Sequence, residues 1–566
     1  MAKDAGNIFA SRTRTIQDPP GDGYYFMNQT QIKQRSGMAE RFASLNDRIK
    51  RDSARYELRY LAMVVFVFAG FAAYLAYVTP LWFDEFFTVS ISRLSSYSDM
   101  LKAMPADGQP PLQYLLTRVS LDIFGVNAFA ARLPELMAYV FAGLLTYGIV
   151  RRHGTPIQAL FALTLLLASL DVCSAGVTAR PYCLLLAFTA LTFASWQAAT
   201  LRSEKRFLPL CGVAVGVGGA ILSHHFGIFH VGLFLAVGEG VRLVRRRRVD
   251  VGMLVAIVIG LSTLVITVPL AEESRTLLGR VILQSTNFWA QPKPGDLLIA
   301  PFVLAGFIPL FILALLTLLS RPQIRNSGEA PEFPPVPEHE WAAAVALCLL
   351  LLVIYLLAEF VTRYFMVRYM IGASLGMAIV GGWGVPRLSR NHIGAQTLLF
   401  LSVLCTCTLW AGFFLFLQLR TPVRAADKWP IPVEPILMKA PKKLPIVIAN
   451  SLDFTQGWWY SPRNIQRRIR YLVDLPKDEK QSDFLPELSL AEDQAYIPFP
   501  VDRYASFIAV HREFLLLRSG EPRLNWTEAR LTRAGWHLSV ISRSGDDVLY
   551  RVTAPSGAGM SSKGAH

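Results

Sequence analysis

The sequence predicts a helical polytopic membrane protein of about eleven transmembrane helices, followed by a small α/β domain. Three observations lead there. Hydrophobic residues make up 53% of the 566 residues and charged residues only 17%, whereas a soluble chain of this length is several domains of mixed surface. The apolar residues fall in blocks of roughly 17–23, the length that crosses a bilayer. After residue 419 the pattern changes to short apolar runs alternating with polar, periodic stretches, as in a small α/β domain.

In chain order, residues 1–57 are polar and basic, with no apolar core and no small-residue cleavage site; this is not the pattern of a cleaved leader. Within them, 1–37 is rich in Gly, Pro, Gln and Arg and is expected to be disordered. Residues 38–57 read as a basic interfacial helix. Spans are expected near 58–79, 133–150, 156–172, 181–200, 207–223, 226–242, 252–270, 298–319, 341–360, 369–386 and 396–418. The span at 226–242 is the weakest, because His230 and Glu239 interrupt it. With the N-terminus cytoplasmic, the clustered positives (Arg151-Arg152, Arg202 to Arg206, Arg245 to Arg248, Arg387 to His392) all fall in cytoplasmic loops, as the positive-inside rule requires. An odd number of spans then puts the loop 80–132 and the domain 419–554 outside the cytoplasm. Residues 555–566 read as a disordered end.

The net charge of +15 belongs to those loops and to attraction toward anionic lipid. No basic-aromatic module accompanies it, so nucleic acid is not an expected partner. The six cysteines form no CxxC pair and read as small apolar filler. In the tail, 444–450, 468–475, 513–519, 536–543 and 548–553 read as strands, and 526–535 as a helix ended by Gly535.

The stretch 80–118 stands apart. It lies between the first two spans and carries Asp84 and Glu85 among Trp82, Phe83, Phe86 and Phe87, then Asp107 before Gln109-Pro110-Pro111. Carboxylates beside apolar surface are paired, shifted or used. Asp84 suits either a helix N-cap or a base.

Trp82-Phe83-Asp84-Glu85, Asp107-Gly108-Gln109-Pro110-Pro111-Leu112-Gln113-Tyr114 and Ala131-Arg132-Leu133-Pro134 resemble, in order, the first-loop motifs of the GT-C membrane glycosyltransferases. The branch they resemble uses dolichyl- or polyprenyl-phosphate sugars and includes protein O-mannosyltransferases and lipid A aminoarabinose transferases. Ala179-Arg180-Pro181-Tyr182 and Val367-Arg368-Tyr369 resemble later motifs, and the match covers roughly residues 58–420. Gln109 and Gln113 depart from the His and Tyr usual in relatives.

The resemblance implies a GT-C fold over 58–418 with the catalytic loop at 80–132. It implies a glycosyltransferase in the bacterial inner membrane. Such an enzyme moves a sugar from a polyprenyl-phosphate donor to a glycan, lipid or protein hydroxyl on the extracytoplasmic face, with inversion. Asp84 and Glu85 are the catalytic candidates; adjacent on a helix, they point about 100° apart, so Glu85 is expected to orient or pair. Asp107, Gln109, Tyr114, Arg180, Tyr182, His224, Arg363, Arg368 and Tyr369 are the substrate-binding candidates. The arginines suit a donor phosphate or interfacial anchoring. A divalent ion is the one cofactor left open, with Asp107 and His225 as candidate ligands. The loop 271–297 reads as a lid or an ordinary connection. Trp458-Trp459-Tyr460 reads as a sugar platform or an interfacial dock. A transporter or flippase of a lipid-linked precursor is the alternative reading; the mid-span charges and repeats it favours are not evident.

Overall fold

The computed structural model describes residues 44–202, 204–284, 290–319, 335–388, 394–420, 434–441, 443–474, 490–491, 494–497, 499–520 and 525–555. The expectations for 1–37, for most of the loop 320–340, for Arg387 to His392 and for nearly all of 555–566 lie outside them. Three of the elements expected at span length are long unbroken helices at the start of the chain: α1 (Glu57–Val78), then, after three short helices α2 (Phe83–Ser92), α3 (Tyr97–Asp107) and α4 (Leu112–Phe124), α5 (Ala128–Arg151), and, after the pair α6 (Pro156–Leu167) and α7 (Leu170–Gly176), α8 (Tyr182–Leu201). Next come α9 (Phe207–Ser223), α10 (Gly227–Arg246), the pair α11 (Val251–Leu261) and α12 (Leu264–Gln284), and the pair α13 (Pro294–Leu304) and α14 (Phe307–Leu319). The last are α15 (Glu338–Leu357), α16 (Gly372–Leu388) and α17 (Ala395–Arg420).

Among the described residues, six helices are long and apolar enough to cross a bilayer, nine if each bent pair is one span, and two shorter apolar helices accompany them. Each of the eleven expected spans coincides with one of these. Phe66, Phe302 and Leu318 point outward from the bundle, as side chains facing lipid do. Three expected spans are bent, by 70° at residue 168, 43° near 262 and 74° near 305. At the first break the Ser169 hydroxyl accepts from the Val172 amide at 3.4 Å and donates to the Val303 carbonyl at 3.2 Å, so the freed backbone is capped. The weakest expected span, α10, is unbroken: Glu239 accepts from the Trp196 indole at 2.5 Å and pairs with Arg242.

The loop 80–132 is not extended chain but the three helices α2, α3 and α4. Ser96 caps α3 by accepting from Ser98 and Asp99, and Gly108 ends it at φ +74°, a conformation open to glycine and costly elsewhere. Asn127 caps α5, accepting from Ala130 at 2.8 Å. The tail forms a six-stranded sheet in the order β3-β2-β1-β4-β6-β5, from β1 (Ile446–Ile448), β2 (Ile469–Val473), β3 (Val501–Arg503), β4 (Glu513–Arg518), β5 (His537–Ser544) and β6 (Asp547–Thr553). Strands β3, β2, β1 and β4 are parallel, and β6 and β5 are antiparallel. Five of the strands are those expected; β3 is additional. Gly535 follows the helix Trp526–Arg533 at φ +76°.

The tail is seated on the loop helices. Phe83, Phe87, Ile91, Met100 and Tyr114 share one core with Ile446, Ile469, Leu515 and Phe499. The Tyr460 hydroxyl accepts from the Leu81 amide at 2.9 Å, and Trp459 lies 5.5 Å from Phe86. Trp458-Trp459-Tyr460 is thus a dock, and the partner it fits is this chain's own first loop.

Candidate functional site

Alternation of the helices carries the ends of α1, α7, α9 and α15 and the starts of α5, α8, α10 and α16 to one end of the bundle. The opposite end holds the start of α1 and the end of α5, tied where Arg151 pairs with Glu57 at 2.9 Å. Asp84, Asp107, Arg180, His224 and Arg368 all sit in links at the first end.

The floor of that end is built by Glu85. Its side chain is 1% exposed and paired with Arg132, which is 2% exposed. Arg132 Nε and Nη2 donate to the two oxygens at 2.7 and 2.6 Å. The Ala179 amide donates to Oε1 at 2.7 Å and the Trp82 amide to Oε2 at 2.8 Å. Arg132 donates further to the carbonyls of Ala76, Thr79 and Pro80. Every acceptor position of Glu85 is filled, so it orients the loop and has no lone pair left for a substrate. Asp84, one residue earlier, is the part-exposed one of the two adjacent carboxylates.

Asp84 is 28% exposed, and its Oδ2 lies 3.6 Å from Nη2 of Arg368, itself 31% exposed. The Arg368 guanidinium lies over the Tyr182 ring at 5.3 Å, with its Nε unpartnered among the described residues. Arg180 Nη1 lies 2.7 Å from both oxygens of Asp107 and 3.4 Å from the Asp84 carbonyl. The Tyr114 hydroxyl donates to Asp107 at 2.6 Å. Burial pushes Asp107 above the ordinary carboxylate range, while Arg180 and Tyr114 pull it back. Burial works to lower Arg180, but the Asp107 and Asp84 carboxylates outweigh it and hold the guanidinium well above its ordinary value. The two directions compete within one pair; the short bonds to both carboxylate oxygens argue for the ionised form.

Aromatic rings line the neighbouring wall. Tyr369 stacks on Phe226 at 5.2 Å, and its ring lies 5.0 Å from His224 and 6.2 Å from Tyr182. The Tyr369 hydroxyl donates to Tyr364 at 2.8 Å. The turn carrying His224 needs Gly227: a Cβ there would come within 2.1 Å of the Ala220 carbonyl. Gln109 is buried, with its carbonyl oxygen unpartnered among the described residues. Buried polar atoms without partners are uncommon, and here a buried carbonyl and a guanidinium N–H stand open at one end of the bundle.

One candidate does not join them. Arg363 is exposed at φ +57° and has no ion-pair partner among the described residues. His224 and His225 are not cations: burial lowers both, His224 well below its ordinary value and His225 to about 4. An unfolded histidine takes its proton near 6.5, so the stability held by the neutral native ring is present above that pH and is lost as pH falls toward 4. We expect His225 to contribute about 2 kcal/mol to this acid loss. Melting of the detergent-solubilised protein between pH 7 and 4 checks it: His225→Gln should flatten the fall, and an unchanged profile refutes it. The proposed metal ligands do not gather either. Among the described residues no group of three or more His, Cys, Asp or Glu is placed to hold an ion, and Asp107 is taken up by Arg180 and Tyr114. The described residues do not gather into a set that fits a divalent ion.

Sequence reasoning missed Asp171. It lies at the start of α7, within electrostatic reach of Arg368 and with one oxygen unpartnered among the described residues. The one signal was an acidic residue in an apolar block. The segment 271–297 is largely helix, because α12 runs on to Gln284 and packs beside α3; Ala290 then accepts from the Phe365 amide at 2.8 Å. Trp289 lies outside the described residues.

Residues 108–266 match the family model described as dolichyl-phosphate-mannose-protein mannosyltransferase. ArnT from Cupriavidus metallidurans bound to undecaprenyl phosphate has the same fold, with a TM-score of 0.54 at 15% identity over 87% of this chain and 97% of that one. Its apo state gives 0.54 at 14% identity, over 88% and 98%. The likeness shows that the chain has a GT-C-like fold. The Archaeoglobus fulgidus oligosaccharyltransferase complexed with Zn and sulfate is a more distant match, with a TM-score of 0.40 at 12% identity over 80% of this chain and 67% of that one. A search of curated proteins by sequence finds no match. In this chain the family match begins at Gly108, inside the acidic motif, and includes Arg132, Arg180 and His224, so the pairing of Asp107 with Arg180 straddles its boundary.

Proposed function

We propose that the protein moves one sugar from a polyprenyl-phosphate donor to an acceptor hydroxyl of a glycan, lipid or protein, by inverting single displacement. The observation that carries this reading is Asp84 beside Arg368, a half-open carboxylate 3.6 Å from a half-open guanidinium. Asp84 takes the proton of the acceptor hydroxyl. The acceptor oxygen bonds to the anomeric carbon as the carbon–oxygen bond to phosphate breaks on the opposite face. Arg368 meets the charge developing on the leaving phosphate, and Arg180, held by Asp107, adds positive field beside it. ArnT of the same fold was solved with undecaprenyl phosphate, which supports an isoprenoid phosphate carrier here. Among the described residues, the clusters Arg151-Arg152, Arg202 to Arg206 and Arg245 to Arg248 lie at the bundle end away from Asp84, and the positive-inside rule then supports a site on the extracytoplasmic face of a bacterial inner membrane, with the 419–554 domain beside it and the N-terminus cytoplasmic.

The test is purified protein with a panel of polyprenyl-phosphate sugars, reading released polyprenyl phosphate and the anomeric configuration of the product. Arg368→Ala should lower kcat/KM by roughly 10–100-fold, the worth of a charge-assisted hydrogen bond, with Arg368→Lys restoring part. A retained anomeric configuration rules out the single displacement. Movement of intact donor across the bilayer with no sugar released would make the protein a transporter instead.

A further inference from the structure

At the bundle end away from Asp84, the last turn of α10 and the first turn of α15 enclose a cavity of about 310 Å3, lined by Val241, Arg242, Arg245, Arg246, Glu338 and His339. Nothing in the transfer reaction uses it. Arg242 is 4% exposed, yet it is not fully spent. Glu239 takes its Nη1 and Asp250 its Nη2 at 3.1 Å, while Nε has no partner among the described residues. Its two carboxylates are themselves shared, Glu239 with the Trp196 indole and Asp250 with Arg206. The ring nitrogen Nε2 of His339 is likewise buried and unpartnered among the described residues. Arg245 pairs with Glu338, both well exposed, so that pair is weak. Arg246 is exposed and without an ion-pair partner among the described residues.

Three guanidiniums and one carboxylate thus line a cavity of the size that holds a small ligand, with Glu239 and Asp250 behind Arg242 outside the lining. Guanidinium forks match phosphate oxygens, and the unspent Arg242 Nε–H and His339 ring nitrogen supply further polar contacts. On the same helix end and the turn that follows it, Leu243, Val244, Val249 and Val251 are exposed. A free anion has no use for that apolar rim, but acyl chains do. We propose that this cavity binds the phosphodiester headgroup of an anionic phospholipid in the leaflet opposite the transfer site, its chains lying along Val244, Val249 and Val251. The run Arg245 to Arg248 at the helix end strengthens the attraction to such a leaflet. The site does not depend on the transfer reaction; only the name of the leaflet uses the orientation above.

The test uses the full chain, extracted in detergent and exposed to phosphatidylglycerol or phosphatidylcholine, with retained lipid counted by native mass spectrometry. Phosphatidylglycerol should be retained and phosphatidylcholine washed away. The double variant Arg245→Ala/Arg246→Ala should weaken retention about tenfold or more. Glu338→Gln, an exposed change that frees Arg245, should strengthen it, which guards against a double variant that merely misfolds. Equal retention of the two lipids overturns the proposal, as does retention indifferent to both sets of variants. Displacement of the lipid by inorganic phosphate as readily as by added phosphatidylglycerol overturns it in favour of a free-anion site. Retention that rises on deleting 320–334 would show that segment as the occupant and overturn it as well.

Discussion

Asp84→Asn lowers sugar transfer by about 10²–10⁴-fold, the usual worth of a positioned general base, and leaves the fold intact. Asparagine keeps the size and one accepting oxygen of aspartate but cannot take a proton from an acceptor hydroxyl. The stability cost is small because the contact to Arg368 is long, at 3.6 Å, and about a third exposed on both sides; an exposed pair of this kind contributes under ~1 kcal/mol. Helix α2 keeps its start, since the bond at its N-terminus runs from the Trp82 amide to Glu85 and not to Asp84. The measurement is turnover with a polyprenyl-phosphate sugar, set beside melting temperature and donor affinity. Melting and affinity should stay near those of the parent while turnover collapses. Turnover within a few-fold of the parent removes Asp84 from the chemistry, and a lost fold would mean that the helix-cap role was the real one.

The membrane architecture was legible because its physics is one-dimensional: span length and arginine placement are properties of short windows. The strands of the tail were legible for the same reason, apart from β3, whose three residues Val501–Arg503 are too few to show a period. The breaks in α6–α7, α11–α12 and α13–α14 were not legible. Ser169, Thr263 and Gly306 are ordinary residues in apolar helices, and what breaks the chain is its neighbours; a Cβ on Gly306 would lie 2.0 Å from the Leu165 carbonyl.

The site divides along the same line. Acidic residues among aromatics marked 80–118, and the ordered motifs marked Arg180 and Arg368, which the fold does bring to one end. The partner of each was hidden by sequence distance: Asp107 finds Arg180 73 residues on, and Glu85 finds Arg132 47 residues on. Asp171 was hidden by its apolar surroundings. The burial that lowers the proton affinity of the histidine pair is not written in a dipeptide.

Arg132→Ala should be the most destabilising single change in the loop. It strips the buried Glu85 of its cation and leaves the carbonyls of Ala76, Thr79 and Pro80 without a donor. Removing one partner of a buried pair costs roughly 3–5 kcal/mol, here enough to detach α2 from the ends of α1 and α5 and carry Asp84 out of the site. Glu85→Ala should cost a similar amount by stranding Arg132 and the Ala179 amide. Glu85→Gln should cost less, because its carbonyl oxygen can still accept from Ala179. If the pair acts as a unit, changing both residues to methionine costs less than the sum of the two alanine changes, since no buried charge is left alone. A double-mutant cycle on melting in detergent decides it. Additive losses would mean that Glu85 and Arg132 hold the loop separately, and the preorganised floor beneath Asp84 would need another explanation.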